Sequence, residues 1–172
     1  MITVISDMEG EHSPFWNFSL EFYSRPRVAP ACLELQDNAG VDVNVLFYLM
    51  FLAQQGRQLN RDDVARIDAT VLAWRDRAVK PLRSLRRDLK NRLAQSDVAA
   101  IAALRTEVKR IELEAERIEQ QMLERLVPAS TIGTQVPSPD AAARANIAAY
   151  GEFLGGLPAA PVTLLLDVFA EN

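Results

Sequence analysis

The chain has 172 residues, 49% hydrophobic and 24% charged, with 19 basic against 23 acidic side chains and a net charge of −4. That is the length of one domain, and the apolar fraction can build a core, which excludes a disordered or collagen-like chain. One cysteine, Cys32, excludes a disulfide framework, and one histidine, His12, removes most metal and acid–base constellations.

Residues 1–13 carry Asp7, Glu9 and Glu11 but no lysine or arginine. They read as an exposed tail rather than a signal or transit peptide, and with the lone cysteine they predict a cytoplasmic protein. Ser13-Pro14 has the form of an N-cap followed by a first-turn proline, which opens a helix over about 14–24. Pro26 and Pro30 break the chain, and a second short helix is predicted over about 28–38, with Gly40 as its left-handed C-cap. Asp42 caps the next helix, over 43–55. Its run Val43 to Ala53 is apolar all round except at Asn44. Eleven such residues are too few to cross a bilayer, so this is a helix buried at the centre of the domain.

Asn60 and Asp63 have the spacing of a capping box. From there apolar residues at intervals of three and four (Val64, Ile67, Val71, Trp74, Ala78, Leu82, Leu85, Leu89, Leu93) predict a helix to about residue 95, kinked between Arg77 and Pro81. Ser96 caps a further helix to about 126. Its seam Ile101, Leu104, Val108, Ile111, Ala115, Ile118 and Met122 makes a coiled-coil-like antiparallel hairpin with the preceding one. Residues 127–139, rich in Pro, Ser and Thr, read as a flexible linker. Residues 140–172 hold an Ala-rich helix, ended by Gly155-Gly156, and an apolar helix over 162–170. No alternating strand pattern occurs. The expected fold is all-α: short N-terminal helices in residues 14–126 packed on a long helical hairpin.

Charge is segregated. Residues 57–92 carry a net +6 and the rest of the chain −10. Lys80, Arg83, Arg87 and Lys90 follow 3-4-3 spacing and form one stripe, predicted to lie opposite the Leu82/Leu85/Leu89 face. The plain explanation is a solvated helix face paired with Glu107, Glu112, Glu114 and Glu116 of the neighbouring helix; the functional one is a surface for an anionic partner. Nucleic acid is the less favoured partner, because the chain is acidic overall and the stripe lacks aromatics for stacking on bases.

Asp37, Asn38, Asp42 and Asn44 crowd oxygen-bearing side chains around the turn at Gly40. Their spacing fails that of a calcium loop, where Tyr48 would have to be a glutamate, so capping explains most of them and a polar pocket is the alternative. Asn44 must find a partner if its helix is buried. A di-iron bundle needs two Glu-x-x-His motifs, a diphosphate-binding aspartate motif is broken by Arg66, and no phosphate loop, dinucleotide fingerprint or nucleophile elbow is present. No catalytic residue, metal or cofactor is expected, and Cys32 reads as a small buried hydrophobe.

The blocks Trp16-Asn-Phe-Ser-Leu-Glu-Phe-Tyr and Pro30-Ala-Cys-Leu-Glu-Leu-Gln-Asp-Asn-Ala-Gly-Val-Asp-Val-Asn-Val-Leu, continued by Trp74-Arg and Val79-Lys-Pro-Leu-Arg-Ser-Leu-Arg-Arg, resemble a family of short proteobacterial proteins. That family is catalogued only as a domain of unknown function. The resemblance spans about 14–126 and implies a small bacterial protein with no catalytic residue to carry over.

The expectation is therefore a non-enzymatic helical adaptor or regulator, with another protein as its partner, bound through Lys80, Arg83, Arg87 and Lys90. The rival is a ligand-binding bundle or small enzyme, its pocket lined by Trp16, Gln36, Asp37, Asp42, Asn44, Trp74 and Arg83.

Overall fold

The structure is a computed structural model that describes residues 13–92, 98–126 and 132–171. Its elements are α1 (Pro14–Ser24), α2 (Val28–Ala39), α3 (Val43–Gln54), β1 (Arg57–Gln58), α4 (Arg61–Trp74), a π-helical turn (Arg75–Val79), α5 (Lys80–Arg92), α6 (Val98–Leu126), β2 (Thr134–Gln135), α7 (Pro139–Leu154) and α8 (Ala159–Ala170). The fold is all-α apart from β1 and β2, which pair antiparallel over two residues. The acidic tail through His12, the Ser96 cap, Leu93 and residues 127–131 of the expected linker lie outside the described residues.

Local chemistry sets the helix ends. The Ser13 side chain accepts from the Trp16 N–H, with Pro14 in the first turn. Gly40 closes α2 at φ 66°, a left-handed conformation that costs a residue without Cβ little. Asp42 accepts from the Asn44 and Val45 N–H groups, and Asn60 with Asp63 forms a reciprocal capping box.

α3 is the centre of the molecule. Every side chain from Val43 to Met50 is buried. The aromatic rings of α1 pack onto it, Phe15 against Tyr48 at 5.0 Å between centroids and Phe22 against Phe47 at 5.4 Å. On another side α3 packs against α7, while α8 packs on α2. Ala142, Ile147, Tyr150, Leu165 and Phe169 thus join one core with Leu46, Leu49 and Ile67.

Within the stretch read as a linker, Ile132 is buried and Thr134 and Gln135 pair with β1. Gly133, at φ 65°, lets the backbone come so close that a Cβ would lie 2.4 Å from the Gln58 carbonyl oxygen. Asn146, fully buried, ties α7 down: its amide donates to the Leu49 and Arg57 carbonyls and its oxygen accepts from the Leu59 N–H.

The expected kink is a π turn. A proline at 81 has no N–H and its ring crowds the carbonyl four residues back, that of Arg77. The chain widens just before it, and the Lys80 N–H reaches the Arg75 carbonyl, five residues back. α5 and α6 then pack against one another as expected, through Leu82, Leu89, Val108 and Ala115 of the predicted seam but not all of it. Leu85, Leu104 and Ile111, placed in the seam by their spacing, are 45%, 53% and 44% exposed. The inner face of α5 takes Val79, Leu89 and the half-buried Leu82, Arg83 and Arg86, and that of α6 takes Val108, Glu112, Ala115, Glu116, Glu119 and Leu123. Burying Glu112 and Glu116 against Arg83 and Arg86 satisfies four charges at once, and this rotates both helices so that Leu85, Leu104 and Ile111 face outward.

A candidate ligand cleft above a buried polar network

Two polar assemblies lie one above the other along α6. The deeper one is centred on Asp42, whose position as N-cap of α3 is dictated by the turn at Gly40. Its Oδ1 accepts from the Asn44 and Val45 N–H groups at 2.9 and 3.3 Å. Its Oδ2 accepts from Arg75 at 2.9 Å, and the same guanidinium holds Asp68 through two bonds of 2.7 and 3.0 Å. Arg75 is the first residue of the π turn, 9% exposed, and its two carboxylate partners hold its proton more firmly than usual despite burial. The Asp42 N–H donates to the Tyr150 hydroxyl at 3.1 Å.

Asn44 finds the partners its position demands. Its amide donates to Glu119 Oε2 at 2.7 Å, and its oxygen accepts from Gln120 at 2.9 Å. Glu119 is fully buried. Burial, followed by the charge of Asp42, pushes its carboxyl far above the usual carboxylate range. Its Oε1 faces no donor, while the Asp42 carboxylate is within hydrogen-bonding reach of the Glu119 carboxyl. A proton on Glu119 turns that approach of two acids into a hydrogen bond.

The second assembly borders a cleft of about 240 Å³ between α2, α5 and α6. Its apolar lining is Tyr23, Cys32, Leu33, Val43 and Leu113, and its polar lining is Gln36, Arg83, Arg86, Arg105, Lys109, Glu112 and Glu116. Arg83 donates to Glu112 at 3.3 Å and to Glu116 at 2.9 Å, and Arg86 grips Glu112 with two nitrogens. Burial pushes the Glu116 carboxyl up to about 7, against the pull of Arg83. The Cys32 thiol and the Tyr23 hydroxyl are both pushed up to about 12, chiefly by burial, so neither ionises near neutrality.

The expected site residues separate. Arg83 and Gln36 line the cleft, and Asp42 and Asn44 belong to the buried network. Asp37 is an exposed partner of Arg87 at 2.6 Å, which with the Arg87 charge holds its carboxyl below its ordinary value. Trp16 is buried beside α6, with the Arg117 guanidinium 5.9 Å from its ring centroid. Half-buried Trp74 donates to the Ala115 carbonyl at 2.9 Å. Of the basic stripe, Lys80 pairs with Asp76, Arg87 with Asp37, and Arg83 turns inward. Lys90 stands exposed.

The expected pairing of the stripe with α6 is met where Arg83 holds Glu112 and Glu116, but not at Glu107 or Glu114. Sequence reasoning missed Arg75, Asp68, Glu119, Gln120 and the cleft residues Arg86, Arg105 and Lys109. A signal existed: residues 105, 109, 112, 116, 119 and 123 follow heptad spacing as regularly as the apolar seam beside them. Among the described residues, no three His, Cys, Asp or Glu side chains are grouped to hold a metal ion, and no helix is long and apolar enough to cross a membrane.

Comparison with curated proteins and with solved structures found no match. A family model described as "Protein of unknown function (DUF2390)" matches residues 14–123, a span that includes every residue lining the cleft but neither Asn146 nor Tyr150. On that match, which runs from α1 through nearly all of α6, the chain belongs to this family.

Proposed function

We propose that this protein is a helical binding domain that takes up a small ligand in the cleft between α2, α5 and α6. The observation that carries this reading is the composition of the cleft: apolar side chains together with a few placed charges, the usual make-up of a small-molecule site. Its volume equals that of about eight water molecules at ~30 Å³ each, which suits a metabolite smaller than most drugs.

An adaptor role through Lys80, Arg83, Arg87 and Lys90 draws less support. Three of those four cations already have acidic partners within the domain, which weakens the field they offer to a macromolecule.

The test is a titration of methyl-labelled full-length protein with a mixed library of small fragments. Saturable shifts of the Leu33, Val43 and Leu113 methyls are expected. A library that shifts none of them saturably would overturn the reading. Capture of a protein from lysate that is lost on reversing Lys80, Arg87 and Lys90 to Glu would establish the adaptor instead.

A further inference from the structure

On the reading that the cleft binds a ligand, we infer that the ligand is a small amphipathic oxyanion. Its carboxylate or phosphate head group sits on Arg105 and Lys109, and its short apolar body lies against Leu33, Val43 and Leu113.

The argument begins with the spacing of α6. Arg105, Lys109, Glu112 and Glu116 follow a 4-3-4 register and so share one face of the helix, which lines the cleft from end to end. The lower half of that face is satisfied. Glu112 and Glu116 are 5% and 3% exposed, and Arg83 and Arg86 reach across from α5 to hold both. The upper half is not. Neither Arg105 nor Lys109 has an acidic partner among the described residues, and the Arg105 Nε is shut off from solvent without an acceptor. The cleft therefore carries four cations against two carboxylates, with the surplus at one end.

A buried donor without an acceptor is rare in native proteins because its desolvation goes uncompensated. A cationic ligand would add to the surplus charge, and a neutral one would leave it unmatched. A carboxylate or phosphate supplies several acceptor oxygens in the planar geometry that a guanidinium prefers, and lysine adds a point charge beside it. A bare inorganic ion would leave the apolar lining unused. Leu33, at 48%, is among the most exposed large apolar side chains of the described residues, and it lines the cleft together with Leu113 and Val43. A ligand with an apolar body covers it.

The experiment uses five probes on the full chain by calorimetry, with the Leu33 and Leu113 methyl shifts as the locator: hexyl phosphate, hexanoate, hexanol, hexylammonium and inorganic phosphate. Hexyl phosphate and hexanoate are expected to bind saturably, and the stronger of the two identifies the head group. Hexanol, hexylammonium and inorganic phosphate should bind at least about tenfold more weakly. The double variant Arg105→Gln, Lys109→Gln should lose at least about tenfold in affinity for the anionic probes. Its unliganded Tm should be unchanged or higher, because no internal partner is lost.

Hexanol or hexylammonium binding as well as hexanoate would overturn the anionic head group while leaving a ligand cleft in place. Inorganic phosphate binding as tightly as hexyl phosphate would overturn the apolar body. Anion binding that survives the double variant would overturn the assignment to Arg105 and Lys109. Saturable fragment shifts at the cleft with no shift from any of these five probes would overturn this inference and leave the proposed function standing.

Discussion

Asn44 shows how much one polar residue can carry in an apolar helix. It links Glu119 to Gln120 across the interface of α3 and α6, so Asn44→Leu removes a donor and an acceptor at once and leaves two buried groups unpaired. The expected cost is about 1–3 kcal/mol, read as a lower midpoint in urea, and an unchanged midpoint would refute the role. Glu119 and Glu116 set a pH dependence. In the folded protein both carboxyls hold their protons above their ordinary value of 4.5, Glu116 to about 7 and Glu119 further, mainly through burial. Between that ordinary value and the raised ones, the native state binds protons that the unfolded chain has released. Stability therefore falls as pH rises through this window, by up to ~1.4 kcal/mol per group for each tenfold difference in proton affinity between the folded and unfolded states. Urea unfolding is expected to show a more stable protein at about pH 5 than at about pH 8, and Glu119→Gln, which mimics the protonated acid, should flatten that slope. A wild-type curve rising over the same range would contradict this account.

The hairpin shows why an apolar stripe is an incomplete guide to an element. Leu89 is 8% exposed and Leu85 45%, although both fall on the stripe predicted to face α6. Leu89→Ala is expected to cost roughly 2–5 kcal/mol and Leu85→Ala well under 1 kcal/mol. Equal losses in thermal unfolding would restore the original seam. The π turn belongs to the same scale. Pro81 displaces the helical register just where Arg75 must reach both Asp42 and Asp68. Arg75→Met would leave two carboxylates buried without their cation, a change expected to cost about 3–5 kcal/mol. The helix starts were legible because they rest on contacts within a few residues, as at Ser13, Asp42 and Asn60.

For the molecule as a whole, the C-terminal helices decide stability. α7 and α8 bury Ile147, Tyr150, Leu165 and Phe169 in the common core, and Asn146 satisfies three backbone groups from α3, β1 and the residue after it. A chain ending at residue 131 is expected to lose cooperative thermal unfolding, and Asn146→Ala to cost about 1–3 kcal/mol; a sharp transition in the truncated chain would show that it folds alone. By itself the sequence determined the helical class, the ends of α1 to α3, the start of α4, the buried centre at α3 and the proline disturbance, all of which follow from periodicity and from capping between near neighbours. Only the tertiary structure decided that the charge pairs between α5 and α6 are buried, that residues 132–136 are anchored beside β1, and that a cleft with an unmatched cationic end opens beside α2. The reason is electrostatic. A charged side chain gives one periodic signal whether it faces water or a buried counter-charge, and which it faces depends on a partner tens of residues away, brought alongside only when the helices pack.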